Sequence, residues 1–300
     1  MKIGIDIGGT SIKIGLVENE TIIKKSVLMV DKSLSQNEQI SVIGNLIKKD
    51  FKEYLDKVTC IGIASPGVID RANGICVIAP NLNWHNAPVV KILKEMLDKK
   101  TKIINDANAA CLAELELGIG RDYQNFIMIT IGTGIGAGIV RNHTLYEGKD
   151  DSDTELGHLV MIKDGNLCKC GKRGCVEAYC SATALIKLSK EYMEKNPNSL
   201  MWKEKEKLGA INALLPFIAL EQGDETAKKV IDEYTSNFAK AIKMFSSMYN
   251  EKVFVLGGGV SLQKNNLINR IQEHLQGLNI KIVCSKYGND SGIIGATLLF

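Results

Sequence analysis

The stretch MKIGIDIGGTSIKIGLV, residues 1–17, decides the fold class of this chain. A β-rich apolar segment runs into Gly8-Gly9-Thr10, and a second β-rich segment follows without helical spacing. The pattern predicts a β-hairpin that turns on the two glycines. The N–H groups of such a turn can approach an anion closely, with the Thr10 hydroxyl and the Lys13 ammonium near it in sequence. We therefore expect a phosphate site, with an ordinary hairpin turn as the alternative.

Asp6 stands inside the apolar run Ile3–Ile7 of the same stretch. Burial of an unpaired carboxylate is costly, because the charge loses its hydration. A plain hairpin strand does not need such a residue. Asp6 is therefore predicted to serve a metal ion, a bound water or a phosphoryl group.

The length of 300 residues, with 45% apolar and 24% charged residues, predicts two α/β lobes with a sizeable core. The net charge of +3 comes without a dense basic tract, so nucleic acid and anionic membranes are not expected partners. No apolar run reaches the roughly 18 residues of a membrane span, and the chain starts with a strand instead of a leader. We expect a cytoplasmic protein.

The pattern of strand and glycine turn recurs twice. It appears as QNFIMITIGTGIGAGIV at residues 124–140 and as VFVLGGGVS at residues 253–261. Three such loops, each directly after a strand, are harder to explain as ordinary turns than one. The first two copies look like an internal duplication, with one copy per lobe. We expect the two halves to hold a nucleotide phosphate between them.

The apolar run Val58–Ala64 predicts a buried strand that ends at Ser65-Pro66-Gly67, and α/β proteins place ligands at such strand ends. The polar segment 68–88 follows. Amide and aromatic groups suited to a polyol come from its residues Asn81, Asn83, Trp84, His85 and Asn86. A solvated connection without a binding role is the alternative.

Asp106 lies between the predicted strand Thr101–Ile104 and a predicted helix that ends at Leu117. As a plain N-cap of that helix it would need no chemistry. As a catalytic base it would be aimed at a substrate from a rigid element, and Asn105 beside it could bind a substrate hydroxyl. The local sequence leaves both readings open.

Four of the eight cysteines crowd into residues 168–180. Cys168, Cys170 and Cys175 form a CxCxxxxC pattern, whose glycines let the thiolates converge on one ion. His158 is the nearest imidazole for a fourth position, for which Cys180 competes. Four protein ligands leave no open position for water, so the pattern predicts a structural zinc ion, with reduced free thiols as the alternative.

A zinc ion in this loop would pin the two carboxylates that flank it, Glu155 and Glu177. These carboxylates are then expected to face the site as acceptors for substrate hydroxyl groups. Beyond this loop a helix is predicted over residues 176–188, and the chain from Ile186 onward is mostly helical. The polar, lysine-rich segment Asn196–Lys207 is predicted to be a mobile surface connection.

Six motifs occur in order along the chain: DIGGTxxK at Asp6–Lys13, SPG at Ser65–Gly67, NLxWxNxP at Asn81–Pro88, NDANAA at Asn105–Ala110, the glycine turn near Gly134, and ELGH with CxCGxxGCxE from Glu155. Together they resemble the ROK family of sugar kinases and repressors, over nearly the whole chain. The resemblance implies an α/β protein of two RNase H-like lobes, as in actin-like ATPases and hexokinases, with a cleft between them and a zinc-bound loop. Residues 1–117 are expected to form the small lobe and residues 118–300 the large lobe. The last helix is expected to pack back on the small lobe.

By the same resemblance, Asp106 is the catalytic base, which accepts a proton from a sugar hydroxyl as that hydroxyl attacks the γ-phosphate of ATP. Mg²⁺ would bind the phosphates, and Asp6 would reach it through water. The implied sugar ligands are Gly67, Asn81, Asn105, Asp106, Glu155, His158 and Glu177. The implied zinc ligands are His158, Cys168, Cys170 and Cys175. The implied nucleotide ligands are Asp6, Gly8, Gly9, Thr10, Ser11, Lys13, Thr133, Gly134, Ile135, Gly136, Gly138, Gly257 and Gly258.

One segment departs from the family pattern. Lys149–Thr154 is acidic where the family has a small, glycine- and alanine-rich turn. This difference leaves the identity of the sugar open, while the expected reaction stays the same. Glucose is the expected substrate, with N-acetylmannosamine, allose or fructose as alternatives, and a homodimer is common in the family. A sugar-responsive regulator is the rival of another class. It is disfavoured because the family's repressors carry a helix-turn-helix domain ahead of the hairpin, which begins here at Ile3, and because a silent sensor is expected to have lost Asp106.

Overall fold

The computed structural model describes residues 1–146, 148, 154–263 and 265–300. Residues 149–153, which make up most of the acidic segment that differs from the family pattern, therefore lie outside the described residues. The strands are β1 (Lys2–Ile7), β2 (Ser11–Glu18), β3 (Thr21–Met29), β4 (Cys60–Ser65), β5 (Val68–Asp70), β6 (Ile75–Ala79), β7 (Trp84–Ala87), β8 (Lys100–Asn105), β9 (Phe126–Ile131), β10 (Ile135–Arg141), β11 (Thr144–Tyr146), β12 (Val253–Gly257) and β13 (Lys281–Cys284). The α-helices are α1 (Gln36–Asp50), α2 (Val89–Leu97), α3 (Asp106–Leu117), α4 (Glu177–Cys180), α5 (Ala182–Lys195), α6 (Leu200–Leu208), α7 (Leu215–Glu221), α8 (Glu225–Tyr249), α9 (Arg270–Glu273) and α10 (Ser291–Thr297).

The chain forms two compact units. The first unit contains Met1–Gln124, Gly138–Thr154 and Asn289–Phe300, and the second contains Asn125–Ala137 and Glu155–Gly288. This division differs from the expected single boundary after residue 117, because the chain passes between units within β10 and returns to the first unit at its C-terminal end. In the described parts of the chain, no helix has both the length and the apolar composition to cross a bilayer.

The first unit is built on a mixed sheet with the strand order β3-β2-β1-β4-β8. β1 and β2 are antiparallel neighbours, so the predicted hairpin is confirmed, and β1, β4 and β8 run parallel to one another. Since side chains alternate along a strand, Ile3, Ile5 and Ile7 of β1 share one face. They join a buried cluster with Ile40 and Ile43 of α1.

The opposite face of this sheet carries a strip of glycines, Gly15, Gly4 and Gly62, which are register neighbours on β2, β1 and β4. The C-terminal helix α10 lies directly on this strip. A methyl group at Gly4 would be 2.2 Å from the carbonyl oxygen of Ile293, and one at Gly62 would be 1.8 Å from that of Ala296. The strip therefore allows the backbone of α10 to contact the backbone of the sheet.

Helix α10 also packs against α3. A methyl group at Gly295 would lie 1.7 Å from the carbonyl oxygen of Ala109, so the two helices are in backbone contact as well. All seven residues of α10 are buried. The C-terminal helix is thus fixed between the sheet and the helix that begins at Asp106.

The second unit contains the parallel strands β9, β12 and β13, with β10 beside β9. The long helix α8 begins at the side-chain cap Asp224 and buries one face, which includes Tyr234 and Phe238. Strand β13 has the bounds Lys281–Cys284, which are those that the sequence predicts for a strand here. The smaller sheet of the first unit has the order β5-β6-β7.

Three sequence-based expectations about helices are corrected. The segment Asn196–Lys207 is not a loop throughout, because α6 occupies most of it, with Ser199 as N-cap and Met201 fully buried. The helix expected over 176–188 is broken at Ser181, whose side chain caps α5. The final helix, for which the sequence predicts the bounds Ser291–Phe300, ends at Thr297, three residues earlier.

Gly62→Ala tests the role of the glycine strip. The added methyl group has no room against α10, so we expect the free energy of unfolding, measured by urea denaturation, to fall by about 3 kcal/mol. Gly132→Ala is the control, because no atom lies within 4 Å of the position that its added methyl group would take. Equal stabilities of the two variants would contradict this packing.

Candidate active site

Predicted site residues of the first unit follow the ends of three neighbouring parallel strands. Asp6 lies at the end of β1, Gly67 follows β4, and Asn105 ends β8. The carboxyl ends of parallel strands meet at one edge of a sheet. The structure confirms this proximity for one pair, because Asn105 Nδ2 donates a hydrogen bond of 3.1 Å to the carbonyl oxygen of Gly67.

Asn105, and not Asp106, is the N-cap of α3. Its buried side chain accepts hydrogen bonds through Oδ1 from the N–H groups of Ala107 (2.9 Å) and Asn108 (3.2 Å). Asp106 is the first residue of the helix and is half-buried, and its Oδ1 accepts from the N–H of Ala107 at 2.8 Å. The reading of Asp106 as a plain N-cap is therefore wrong, and its carboxylate is placed at the start of a helix whose first turn another residue already caps.

Asp6 faces α10 and not the isoleucine cluster, which accounts for an acidic residue inside an apolar run. It lies opposite Lys13 in the β1–β2 ladder, and Lys13 Nζ is 3.2 Å from its Oδ2. Burial raises the pKa of Asp6, Lys13 lowers it by attraction, and Asp290 raises it. A second donor group or a cation at this carboxylate would therefore stabilise its charged form.

Two contacts beside Asp6 had no signal in the sequence. Lys13 Nζ also donates to the carbonyl oxygen of Asn289 at 3.2 Å, just before α10. Asp290 in turn accepts two hydrogen bonds, of 2.5 and 2.6 Å, from Lys25 of β3. These partners are more than 260 residues apart in the chain, so no local pattern could indicate them.

Asn81 lies against the glycine turn of the first hairpin. A methyl group at Gly9 would be 3.2 Å from Asn81 Cβ, so the predicted sugar segment and the predicted phosphate turn are in contact. Asn83 and Asn86 have φ values of 59° and 48°, in the left-handed region that asparagine tolerates. Their backbone conformation explains these two asparagines without a ligand, a distinction that the sequence could not make.

Predicted site residues of the second unit meet at Glu177. Its Oε2 accepts a hydrogen bond of 3.1 Å from the N–H of Ile135 in the second glycine turn. A methyl group at Gly134 would lie 2.3 Å from the same oxygen, which explains the glycine. On its other side, Glu177 Oε1 is 3.6 Å from Cys168 Sγ. Glu177 thus joins the glycine turn to the cysteine loop.

Four of the predicted metal ligands come together in this loop. The ligand atoms of His158, Cys168, Cys170 and Cys175 all lie within 4.8 Å of one another, and Cys180 does not belong to the cluster. Cys170 Sγ and Cys175 Sγ are 3.7 Å apart, as are Cys168 Sγ and His158 Nδ1. A tetrahedral zinc ion with Zn–S bonds of about 2.3 Å needs sulfur atoms about 3.8 Å apart. The four side chains therefore fit such an ion.

The charge of this cluster also favours a cation. Burial, with a smaller contribution from the carboxylate of Glu177, raises the pKa of the Cys168 thiol to about 12. Burial likewise raises the pKa of Cys175. Three thiolates this close would repel one another, and a bound divalent cation would remove that penalty.

His158 connects the cluster to Glu155. Its Nδ1 faces Cys168, while its Nε2 lies 3.9 Å from Oε2 of Glu155. Both side chains are about one-third exposed. One ring nitrogen can therefore bind a metal while the other remains directed toward a carboxylate and solvent, which suits a group that also contacts a polar ligand.

The remaining glycines of the predicted nucleotide set have mixed surroundings. A methyl group at Gly138 would lie 2.4 Å from Cys111 Cβ, so packing against α3 accounts for this glycine without a ligand. Gly257 ends β12 and Gly258 follows it with a φ of 86°. Thr133 accepts through its carbonyl oxygen from Thr183 Oγ1 at 2.7 Å. The nucleotide roles of these residues stay predictions.

Known proteins resemble this chain over its full length. It matches the model of the ROK family over residues 2–300. It is 35% identical over 304 aligned positions to a glucokinase of Thermotoga maritima, covering 98% of this chain and 95% of the relative. An N-acetylmannosamine kinase of Haemophilus influenzae is 27% identical, covering 98% and 93%. A ROK family glucokinase from Streptomyces griseus, solved in complex with glucose and AMPPNP, matches with a TM-score of 0.90 at 27% identity, covering 99% of this chain and 98% of that one.

Asp6→Asn is expected to stabilise the folded protein at neutral pH. The folded-state pKa of Asp6 is raised above its ordinary value of 3.8. The stability that Asp6 contributes is therefore fully present below pH 3.8 and is lost as the pH rises through the raised pKa. Asparagine does not titrate. The difference in melting temperature should therefore shift in favour of Asp6→Asn between pH 4.5 and pH 7.5.

Asp31→Asn is the matched control for this pH series. Hydrogen bonds from Ser33 lower the pKa of exposed Asp31 below its ordinary value of 3.8. Its contribution to stability therefore changes only at lower pH, and its variant should show almost no trend between pH 4.5 and pH 7.5. A wild type that gains stability over Asp6→Asn as the pH rises would contradict the assigned environment of Asp6.

Cys170→Ser tests the metal cluster. Metal analysis of the purified wild type should give about one zinc ion per chain, and the variant should lose most of it together with melting temperature, since structural zinc contributes folding free energy. Cys170 is exposed, so lost packing cannot explain a large effect. Cys284→Ser, outside the cluster, should keep the metal. Unchanged zinc content in Cys170→Ser would refute the site.

Proposed function

This chain belongs to the ROK family, and we propose that it is an ATP-dependent sugar kinase that phosphorylates a hydroxyl group of glucose. The likeness to glucokinases over the whole chain supports both the reaction and the sugar. The observation that carries the proposal is the carboxylate of Asp106, which starts α3 without being its cap. A carboxylate at a strand-to-helix junction can be aimed at a substrate from a rigid element.

Asp106 acts as the general base. It accepts the proton of the sugar hydroxyl while the hydroxyl oxygen attacks the γ-phosphorus of ATP, and ADP leaves with the electron pair of the broken P–O bond. Asn105 holds this carboxylate in place by capping the first turn of α3 and by its hydrogen bond to Gly67. Catalysis then depends chiefly on the position of the reacting groups.

The triphosphate is bound by the glycine turn of the first hairpin and by Lys13. Lys13 is anchored by Asp6 and by the carbonyl oxygen of Asn289, which fixes its ammonium group. A bound Mg²⁺ would neutralise the phosphate charge, and Asp6 is the carboxylate that would hold it through water. Burial disfavours the charged form of Asp6. A cation bound beside this carboxylate would favour the charged form, and the carboxylate would in turn stabilise the cation.

In the first unit, the candidate ligands for hydroxyl groups of the sugar are Asn81 and Asn105. In the second unit, taken by itself, the candidates are Glu155, His158 and Glu177. The acidic side chains accept hydrogen bonds from hydroxyl groups. The imidazole of His158, whose Nδ1 faces the cysteine cluster, would carry its proton on Nε2 and donate it to a hydroxyl oxygen. A structural zinc ion held by His158 and the three cysteines would fix the loop that carries these groups. In the second unit, the candidate nucleotide ligands are the glycine turn at Thr133–Gly136 and the loop at Gly257-Gly258.

A kinase for N-acetylmannosamine is the second candidate, because a relative with that activity aligns over 98% of the chain. Allose and fructose are further possible acceptors. A regulator without catalytic activity is less well supported, since the chain retains Asp106. The cytoplasmic location and the homodimer stay predictions.

The sugar is identified by a coupled ADP-release assay with a panel of hexoses and amino sugars, followed by NMR identification of the product. We expect the highest kcat/KM for glucose, with the phosphate on the primary hydroxyl group. A higher kcat/KM for N-acetylmannosamine would replace glucose by the second candidate. ADP release that no sugar stimulates would contradict the kinase proposal.

Asp106→Asn should lower kcat by about 10²- to 10⁴-fold, because the base is lost while the shape of the side chain is retained. The dissociation constant of the sugar, measured by calorimetry, should change little. Asp122→Asn, at an exposed aspartate beyond α3, is the control and should keep full activity. Turnover of Asp106→Asn near the wild-type rate would remove Asp106 as the base.

A further inference from the structure

The first turn of α1 holds the segment Pro80–Ala87 through two glutamine side chains. Gln39 is buried, and its Oε1 accepts a hydrogen bond of 3.1 Å from the indole Nε1 of Trp84. Gln36, one turn earlier, accepts through Oε1 from the N–H of His85 at 2.9 Å. Both bonds connect parts of the chain about 45 to 49 residues apart in sequence.

Gln39 makes further contacts that a charged side chain could not make together. Its Nε2 donates to the carbonyl oxygen of Leu34 at 3.0 Å and lies 3.5 Å from that of Leu82. A neutral amide can accept from an indole N–H and donate to carbonyl groups at the same time, whereas an ionised carboxylate only accepts and an ammonium only donates. Trp84 is fully buried, so its N–H has no access to water as a substitute partner.

The segment held in this way carries Asn81. Asn81 stands between Pro80 and Leu82 in a single 3₁₀ turn, which ends at the left-handed residue Asn83. Asn81 Cβ is 3.2 Å from the position of a methyl group on Gly9 in the first hairpin. Because the turn is short and its end is fixed at Trp84, a shift of Leu82 or Trp84 moves Asn81 relative to Gly9.

We infer that Gln36 and Gln39 are positioning residues for the sugar, which act by fixing the segment Pro80–Ala87 and with it Asn81. This inference rests on the proposed function, in which Asn81 binds a sugar hydroxyl. The two glutamines do not touch the reacting groups. Their loss should therefore weaken the binding of the sugar while the phosphoryl transfer step and the binding of ATP stay nearly intact.

Gln39→Met removes all the hydrogen bonds of this side chain at nearly constant length. We expect the KM for the sugar to rise about tenfold, with kcat and the KM for ATP within about threefold of the wild type. Ile47→Ala is the matched control, since Ile47 lies on the same helix and is fully buried in the apolar cluster that also contains Trp84. It should lower the stability without changing the KM for the sugar.

Gln36→Leu is the second variant, at a half-buried position whose substitution leaves the core intact. It removes one hydrogen bond and should raise the KM for the sugar about threefold. If Gln39→Met does not fold, Gln36→Leu alone tests the positioning role. An unchanged KM for the sugar in the folded glutamine variants, or an equal rise in Ile47→Ala, would overturn the inference.

Hydrogen exchange measured by mass spectrometry separates this inference from the proposed function. The amides of residues 80–87 should exchange faster in both glutamine variants than in the wild type and in Ile47→Ala. An active wild type with an unchanged KM in the variants overturns the positioning role alone. A wild type that phosphorylates no sugar, with faster exchange at residues 80–87 in the variants, overturns the proposed function and supports the holding role of the glutamines.

Discussion

The backbone contact between α10 and the glycine strip of the first sheet is the constraint on which the arrangement of the first unit depends. Side chains at Gly4, Gly15 or Gly62 would push the helix away from the sheet. With the glycines in place, α10 fills the space between the sheet and α3 and is buried along its whole length. The last residues of the chain therefore complete the core that its first residues began.

This packing explains how distant parts of the first unit bring candidate site residues together. α10 contacts β1, β4 and α3, and these elements carry Asp6, the loop at Gly67 and Asp106. The residues just before α10 reach Lys13 and Lys25 of the hairpin, so the same helix also orders charges beside Asp6. In the second unit, Glu177 connects two separate segments, because its carboxylate contacts both the second glycine turn and the cysteine cluster.

The sequence could predict features that depend on neighbours in the chain, and missed those that depend on distant partners. The hairpin, the start of α3 and the cysteine cluster follow from local residue patterns. Asn105 and Asp106 are both good N-cap residues, so only the geometry could assign the cap. The helix α6 was missed because its lysine-rich sequence looks solvated, while its buried face is set by contacts such as that of Trp202 with Met193. The roles of Gln36 and Gln39 had no local signal, because both residues bond to a segment far along the chain.

The proposed role of Asp106 is to remove the proton of the acceptor hydroxyl in a sugar kinase reaction. It is tested most directly by a crystal structure of the wild type with glucose and a non-hydrolysable ATP analogue. We expect an Asp106 carboxylate oxygen within about 2.6 to 3.2 Å of the primary hydroxyl group that faces the γ-phosphate. An ordered ternary complex in which that oxygen is beyond hydrogen-bond distance of every sugar hydroxyl would contradict it.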